Sequence, residues 1–363
     1  MIDHTLFKNV AIAISAYADE AYTTAKRVNT SGIVGTDARI QPNGESFIGQ
    51  MRWYKPLAAN INVASLTSSA DGTYTDISTE IADYIKSVRT FGSQQVNLQQ
   101  VISQQDGLAK IARDFAQVRG DDENDAVMSV MKGVAAYEVG RGAGIVAYDT
   151  NADGASVGNF VDINALSVFG AAATGTSDAR KLFDSTAIGA ARGQRLFQAI
   201  GMAFKDHEPD YMYMVTSPEV LAELRAANLV DTTPIMDGNL EFQTVFGGKF
   251  RLVLTRASQG NLSASANVND QSTKTTLIVK PGSIAFSGIA VPTPVEVDRN
   301  AASYTGGGST NIWYRYGFVA HPMGYDWAGS TSAFATNAAF ATAGSWSRKM
   351  DALNLGILPI LHA

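Results

Sequence analysis

The strongest hydrophobic periodicity in the chain is helical and covers residues 105–139. Apolar side chains recur there at the three- and four-residue spacing of an amphipathic helix. They form two stripes, Leu108, Ile111, Ala112, Phe115 and Val118, then Val127, Met128, Met131, Val134 and Ala135. Residues 120–122, Gly-Asp-Asp, lie between the stripes and leave two alternatives open, two helices with an aspartate cap or one kinked helix. Glycines at 140, 142 and 144 predict the end of the element.

Upstream of this helix, residues 46–98 are predicted to form strands. Alternate positions from Phe47 to Lys55 fall on one face, although the alternation is imperfect, and Pro56 ends the run. Apolar residues at 77, 81, 85 and 88 fit either a strand or a helix. We favour a long two-stranded excursion that turns within the polar stretch 65–76, which contains an Asp-Gly turn signal. Its apolar content is too low for self-burial, so we expect support from another subunit.

The rest of the chain mixes helices and strands, which predicts an α+β fold. Predicted helices cover residues 177–205 and 217–228, the second with Ser217 as N-cap and Pro218 in its first turn. Predicted strands or extended segments cover residues 211–216, 250–255, 276–279, 291–298 and 312–321, and predicted loops cover 149–176, 258–274 and 306–308. The strand at 312–321 has apolar side chains on both faces, which predicts burial of both. The apolar tail, 353–361, is expected to dock into the body.

The N-terminal residues 1–44 are predicted to form an extended arm, with a short helix over 11–27 as one option. No basic segment precedes the apolar run near residue 10, so we expect no signal peptide. The longest apolar runs elsewhere fall far short of the ~20 residues that a membrane span requires.

The composition excludes several kinds of chemistry. The chain of 363 residues contains no cysteine, which rules out disulfides, thiolate nucleophiles and cysteine-zinc sites. Charged residues make up 17%, below the roughly 25% that is typical of soluble domains. Either neighbouring subunits cover much of the surface, or the surface is neutral and rich in small polar residues. The net charge of -6 argues against general nucleic-acid binding, although a mildly acidic protein can still enclose DNA.

The sequence offers little candidate chemistry, and we expect neither a cofactor nor an enzyme. The histidines at 4, 207, 321 and 362 show no metal spacing and no neighbouring nucleophile motif. The glycine-rich stretch 140–144 follows a helix, where a dinucleotide loop requires a preceding strand. Asp149, Asn151 and Asp153 match the first half of a calcium loop, but Phe160 occupies the position of the bidentate glutamate. A looser calcium turn and a plain turn both remain open.

Basic residues are spread along the two-stranded excursion and give the candidate interface residues, Arg52, Lys55, Lys86 and Arg89. These side chains can pair with acidic patches on a neighbour, or they can simply keep strand edges soluble.

Four stretches, taken in their order along the chain, carry a resemblance to a known family. Residues 108–137 resemble its spine helix, and YMYMVTSPEVLAELRAANLVD at 211–231 resembles a strand leading through Ser-Pro into a helix. FGGKFRLVLTR at 246–256 resembles its glycine turn and strand, and IWYRYGFVAHPMGYDWAG at 312–329 resembles a late strand. Over roughly residues 45–363, the chain resembles the Hong Kong 97 fold of tailed-bacteriophage major capsid proteins.

The resemblance implies a domain order. Residues 1–44 would be the N-arm, 45–98 the extended two-stranded E-loop, and 99–176 the P-domain with its spine helix. Residues 177–305 would form the A-domain, and 306–363 would return to the P-domain and end in the C-terminal tail.

The resemblance also implies a function and partners. Copies would assemble as hexamers and pentamers into an icosahedral shell enclosing double-stranded DNA, with the E-loop and N-arm reaching over neighbours. The partners would be other copies, a separate scaffolding protein, the portal, a decoration or cement protein in some members, and DNA through non-specific contact. Assembly would occur in the host cytoplasm, and Lys55 and Lys86 would be cross-linking candidates by location only. The alternatives are an encapsulin-like compartment shell and a soluble α/β enzyme with its site in the A-like domain.

Overall fold

The structure, a computed structural model, describes residues 31–41, 46–54, 79–96, 107–141, 144–145, 159–162, 194–226, 228–231, 234–237, 240–254 and 274–362. Several sequence-based predictions lie outside these residues. They are the helix option at 11–27, the turn at 65–76, the loop at 258–273, and the first part of the helix predicted for 177–205.

The described elements are mainly antiparallel strands with a few helices, as an α+β fold requires. The strands are β1 (Val34–Gly35), β2 (Ile48–Tyr54), β3 (Thr79–Val96), β4 (Val161–Asp162), β5 (Met212–Thr216), β6 (Ile235–Asp237), β7 (Leu240–Phe242), β8 (Thr244–Val245), β9 (Phe250–Leu254), β10 (Lys274–Val279), β11 (Ile284–Ile289), β12 (Val295–Asn300), β13 (Ser309–Pro322), β14 (Tyr325–Trp327), β15 (Trp346–Arg348) and β16 (Ile357–His362). The α-helices are α1 (Gly107–Gly140), α2 (Gln194–Phe204), α3 (Pro218–Ala226) and α4 (Asn337–Phe340).

The first sheet has the order β1-β11-β13-β3-β2, and β12 also pairs with β13. Strand β3 is its organising element, because residues 79–85 pair antiparallel with β2 while residues 86–96 pair antiparallel with β13. The predicted pairing of two strands is therefore confirmed, and the ambiguous segment around 81–88 is a strand. Its pairing on both halves of β3 decides between the two alternatives that apolar spacing left open.

Of the two alternatives left open at residues 120–122, the structure has one helix, α1, of 34 residues and about 50 Å. Residues 120–122 continue the helix, and Asp122 is held by contacts with other elements instead of capping a second helix. The predicted apolar stripe is wrong at Val118, which is 37% exposed. Arg119, the next residue, faces the first sheet and donates to the Tyr314 hydroxyl. The helix ends at Gly140, as predicted.

The second sheet has the order β4-β16-β10-β5-β9-β8. One of its faces packs against α2 and α3, and the other contributes Tyr213, Val215, Leu277 and Ile357 to the core that α1 shares with the first sheet. The C-terminal strand β16 pairs along its whole length with β10, which confirms that the apolar tail docks. Buried Thr276 and His362 are hydrogen-bonded across this pair, with 2.9 Å between Thr276 Oγ1 and His362 Nε2.

The strands of residues 177–305 are divided between the two sheets. Residues 177–305 contribute β5, β9 and β10 to the second sheet but β11 and β12 to the first. Strand β16, from the range expected to return to the P-domain, lies in the second sheet. The physical reason is pairing, because β13 provides the antiparallel partner for both β11 and β12.

Strand β13 is buried on both faces over only part of its length. Residues 317–322 are buried throughout, as predicted, but Trp313 is 44% exposed. Helix α1 covers one face of this end of the strand, where Tyr314 stacks on Phe115 with 5.6 Å between ring centroids. The opposite face has no cover within the chain that the structure describes. The glycine loop predicted at 306–308 is confirmed, since Gly306 and Gly308 have positive φ values of 89° and 73° in the turn before β13.

A close approach fixes the residue type in the middle of α1. A Cβ atom at Gly133 would lie 2.0 Å from the Phe340 carbonyl oxygen and 2.6 Å from Trp346 Nε1. These two groups are themselves hydrogen-bonded at 2.8 Å, so the helix packs directly on that bond.

We therefore expect Gly133→Ala to lower the free energy of unfolding by about 2 kcal/mol, because the added methyl must displace backbone. Gly140→Ala is the matched control, since a Cβ there meets nothing within 4 Å. It should leave stability unchanged or raise it by up to about 1 kcal/mol through helix propensity. Chemical denaturation of both variants is the measurement, and equal effects would contradict the packing argument.

Candidate functional site

The hairpin of β2 and β3 has one buried face and one exposed face. The buried face carries Met51, Trp53, Ala82 and Tyr84, which pack with Ile40, Ala285 and Val319. On the opposite face, Arg52 lies across from Ile81, and Tyr54 lies next along β2. Tyr54 is 73% exposed and Ile81 is 40% exposed. We call Arg52, Tyr54 and Ile81 the arm face.

The arm face is unpartnered in the part of the chain that the structure describes. Neither the Arg52 guanidinium nor the Tyr54 hydroxyl makes a hydrogen bond, ion pair or ring contact there. Arginine and tyrosine are enriched in protein interfaces, where their large side chains often supply much of the binding energy. The arrangement is therefore suited to contact with another protein surface.

A polar network anchors β3 to the body where the hairpin joins it. Arg89 on β3 approaches Asp122 on α1, with Arg89 Nε 3.3 Å from Asp122 Oδ2, and donates to Asn337 Oδ1 at 2.8 Å. Asn337 Nδ2 and the Tyr316 hydroxyl both donate to the Asp122 carboxylate, each at 2.9 Å. Burial first, and then the Asp122 charge, raises the pKa of Tyr316 above its ordinary value. One carboxylate thus connects β3, α1, β13 and α4.

One turn earlier on the same face of α1, a second ion pair meets β13. Arg119 Nε donates to Glu123 Oε1 at 2.9 Å, and Arg119 Nη1 donates to the Tyr314 hydroxyl at 3.0 Å. The same guanidinium lies 5.5 Å from the centre of the Tyr316 ring. These contacts hold the helix against the aromatic face of the strand.

The fully buried carboxylate of Glu138 fixes the C-terminal end of α1. It accepts hydrogen bonds from the Asn159 backbone N–H at 2.7 Å and the Tyr325 hydroxyl at 3.1 Å. Arg348 Nη1 lies 3.4 Å from Glu138 Oε2, and the guanidinium balances the negative charge of the Glu138 carboxylate. Burial is the main cause that raises the pKa of Tyr325, and Glu138 adds to it. Because Asn159 also donates to the Ile357 carbonyl, the network reaches the second sheet.

The outer half of β3 is held through β14. Asp326 Oδ1 accepts from the Asp83 backbone N–H at 2.6 Å. Lys349 Nζ lies 3.6 Å from Asp326 and 3.9 Å from Glu80, so a cation bridges the two strands. The hairpin is consequently fixed along its edge as well as at its base.

The structure separates the predicted interface residues instead of gathering them. Arg52 is exposed on the arm face, while Lys55 lies outside the described residues. Lys86 is 5% exposed, and burial lowers its pKa. Arg89 is engaged with Asp122 and Asn337 within the chain.

The structure describes only some of the residues that were considered as metal or histidine sites. The calcium-turn residues Asp149, Asn151 and Asp153 lie outside the described residues. Among the residues that the structure places, no group of three or more acidic or histidine side chains could hold a metal ion. Within the same residues, no helix is both long and apolar enough to cross a bilayer.

Tyr54 and Ile81 were not anticipated as interface residues. The signal was present, because Gln50, Arg52 and Tyr54 alternate with the buried residues of β2. Asp122 and Glu138 were also missed, since acidic residues inside a helical stripe look like solvated positions until their partners are placed.

Comparison with known proteins gives likeness in structure only. No protein-family model matches the sequence, and a search of curated proteins finds no match. The head of Helicobacter pylori bacteriophage KHP40 is similar in fold, with 9% identity, 93% of this chain and 90% of that chain covered, and a TM-score of 0.49. The capsid of Ralstonia phage GP4 shows 13% identity, coverage of 93% and 91%, and a TM-score of 0.49. The capsid asymmetric unit of cyanophage Pam1 shows 10% identity, coverage of 93% of both chains, and a TM-score of 0.48.

We expect Glu138→Gln to lower the free energy of unfolding by about 3 kcal/mol, because it leaves the buried Arg348 charge without its counter-ion. Glu219→Gln on α3 makes the same chemical change at an exposed position and should cost less than about 1 kcal/mol. Urea denaturation compares the two, and a Glu138 variant as stable as the Glu219 variant would contradict the assigned role.

We expect His321 to make the free energy of unfolding depend on pH. It is fully buried on β13, its Nε2 has no hydrogen-bond partner, and burial lowers its pKa from 6.5 to about 4. The unfolded chain takes up this proton near pH 6.5 and the folded chain only near pH 4, so the stabilising contribution is complete above pH 6.5. It should decline by about 3 kcal/mol as the pH falls through this window.

The measurement is the free energy of unfolding between pH 7 and 4 for wild type, His321→Gln and a control, His207→Gln, at an exposed position. The His321 variant should lose part of the pH dependence, while the control should keep it. Identical pH profiles for all three proteins would overturn the assignment.

Proposed function

We propose that this chain is the major capsid protein of a tailed bacteriophage, with the Hong Kong 97 arrangement. Copies would assemble as hexamers and pentamers into an icosahedral shell around double-stranded DNA. The observation that supports the proposal is strand β3, whose inner half pairs with β13 in the core sheet and whose outer half pairs with β2 and leaves one face exposed. A shell subunit needs surfaces that contact its neighbours, and an exposed strand face is suited to such a contact.

The domain assignment follows the same proposal. The hairpin of β2 and β3 would be the E-loop, α1 the spine helix, and the first sheet the centre of the P-domain. The second sheet with α2 and α3 would be the A-domain. On strand pairing, we place the end of the A-domain range before Ile284 instead of at residue 305, and we add β16 to its sheet.

The energetics suit assembly through many modest contacts. Each copy in a closed lattice contributes several interfaces, so individually weak contacts act cooperatively. The low charged fraction of 17% supports extensive contact between copies, because charged residues are depleted from interface cores. The net charge of -6 supports only non-specific contact with packaged DNA.

The role proposed for the chain is structural and not enzymatic. Its location would be the virion, after assembly in the host cytoplasm. The proposed partners are other copies, a separate scaffolding protein, the portal, and a decoration or cement protein.

We expect the purified chain to form hexamers, pentamers or shells when mixed with a candidate scaffolding protein. Size-exclusion chromatography and negative-stain electron microscopy, with and without that protein, are the measurements. A monomer or dimer in both conditions would overturn the capsid proposal and favour the enzyme alternative. Closed shells of uniform size without any helper would count against a separate scaffold.

A further inference from the structure

A second exposed surface lies on the first sheet, at the end away from the arm face. Trp313 on β13 pairs with Gly92 on β3 and with Glu296 on β12. A Cβ atom at Gly92 would lie 2.7 Å from the indole ring, so the ring rests against the glycine. The indole is therefore held in place while 44% of the residue remains exposed.

The surroundings of this indole carry carboxylates. Glu296 is paired with Arg315, with 2.7 Å between Glu296 Oε2 and Arg315 Nη2. Asp298, the next residue on the same face of β12, is exposed and has no hydrogen-bond or ion-pair partner within the described chain. We call Trp313, Glu296, Asp298 and Arg315 the tryptophan face. An indole beside an unpaired carboxylate is chemically suited to a guanidinium flanked by apolar groups.

The arm face has this complementary chemistry. Arg52 is exposed without a partner in the described chain, and Tyr54 and Ile81 flank it with exposed aromatic and aliphatic surface. An arginine placed over the indole could also reach the Asp298 carboxylate. Arg52 and Asp298 therefore offer opposite charges, and each face offers an apolar surface to the other.

The two faces cannot meet within one chain. Ile81, opposite Arg52, and Gly92, beneath Trp313, both lie on β3 and are separated by about 36 Å along the strand. Because side chains alternate along a strand, these two positions also point to opposite faces of the sheet. Any contact between the arm face and the tryptophan face must therefore come from a second copy.

We propose that the arm face of one copy docks on the tryptophan face of the next, with Arg52 over Trp313 and paired with Asp298. This inference rests on the proposed shell-building function and specifies one of its contacts. A contact between two different faces at opposite ends of a strand is heterologous, and such contacts close into rings or continue as lattices. Such a contact repeats from copy to copy, as a ring-shaped capsomer requires.

A charge exchange tests the docking. Arg52→Asp and Asp298→Arg should each raise the protein concentration needed for half-maximal assembly by about ten-fold or more, and the double variant should recover much of this loss. Arg299→Asp is the control, because Arg299 is exposed on the same strand but alternates to the other face. It should assemble like wild type. Sedimentation velocity measures assembly, and thermal melts of unassembled protein confirm an unchanged fold.

Trp313→Ala should weaken assembly, and Trp313→Phe should weaken it less, because phenylalanine keeps an aromatic face for the guanidinium. Failure of wild type to assemble at all would instead overturn the proposed function. If wild type assembles and the single charge variants match it, or the double variant is no better than either single, the docking proposal is wrong.

Position-specific cross-linking gives an independent readout, because the native chain has no cysteine. A variant carrying Arg52→Cys and Asp298→Cys should give a ladder of covalent oligomers with a short bis-maleimide. Replacing the second change by Arg299→Cys should abolish the ladder. Equal ladders from both variants would overturn the docking geometry.

Discussion

The position of α1 depends on two buried or half-buried carboxylates, Asp122 and Glu138, which lie about 24 Å apart along the helix. Asp122 connects the helix to β3, β13 and α4, and Glu138 connects it to β14, β15 and the backbone at Asn159. An apolar helix could slide or rotate against a sheet at little cost, whereas a carboxylate with three fixed donors cannot. These networks therefore set the register between the helix and both sheets.

The shape of the exposed surface follows from that register. Helix α1 covers one face of the inner half of β3, and the segment around Ile40 covers the opposite face of the hairpin. Each end of the strand is consequently left open on a different side. The same strand thus carries two exposed faces that cannot contact each other within one chain.

Much of the fold could be predicted from local pattern. The extent of α1, the buried strand β5, the Ser-Pro start of α3 and the docking of the apolar tail are confirmed. These features depend on periodicity, turn residues and hydrophobicity, which are properties of short windows. The choice of strand over helix for β3 needed its partners, because spacing alone fits both.

The contents of the site were harder to predict, because they depend on which residues meet in space. Arg89 looked like a surface charge until β3 was placed beside α1, and Lys86 looked accessible until both neighbours of its strand were known. Trp313 was expected to be buried because its strand is apolar on both sides. In the structure, both faces of β13 are buried over residues 317–322, but the face that carries Trp313 is exposed at that residue. Sheet membership of β11 and β12 is likewise a long-range pairing.

Both contact surfaces of the proposed docking are already held in place by contacts within one chain. Ordering a flexible arm at the moment of contact costs conformational entropy, which reduces the net free energy of each interface. Here the hairpin is held by Asp326 and Lys349 along its edge and by Arg89 at its base. The indole of Trp313 is likewise held against Gly92 before any neighbour arrives. In the proposed docking, the buried polar contacts within one copy would therefore strengthen the contact between copies, although Asp326, Lys349 and Arg89 would not themselves touch the neighbour.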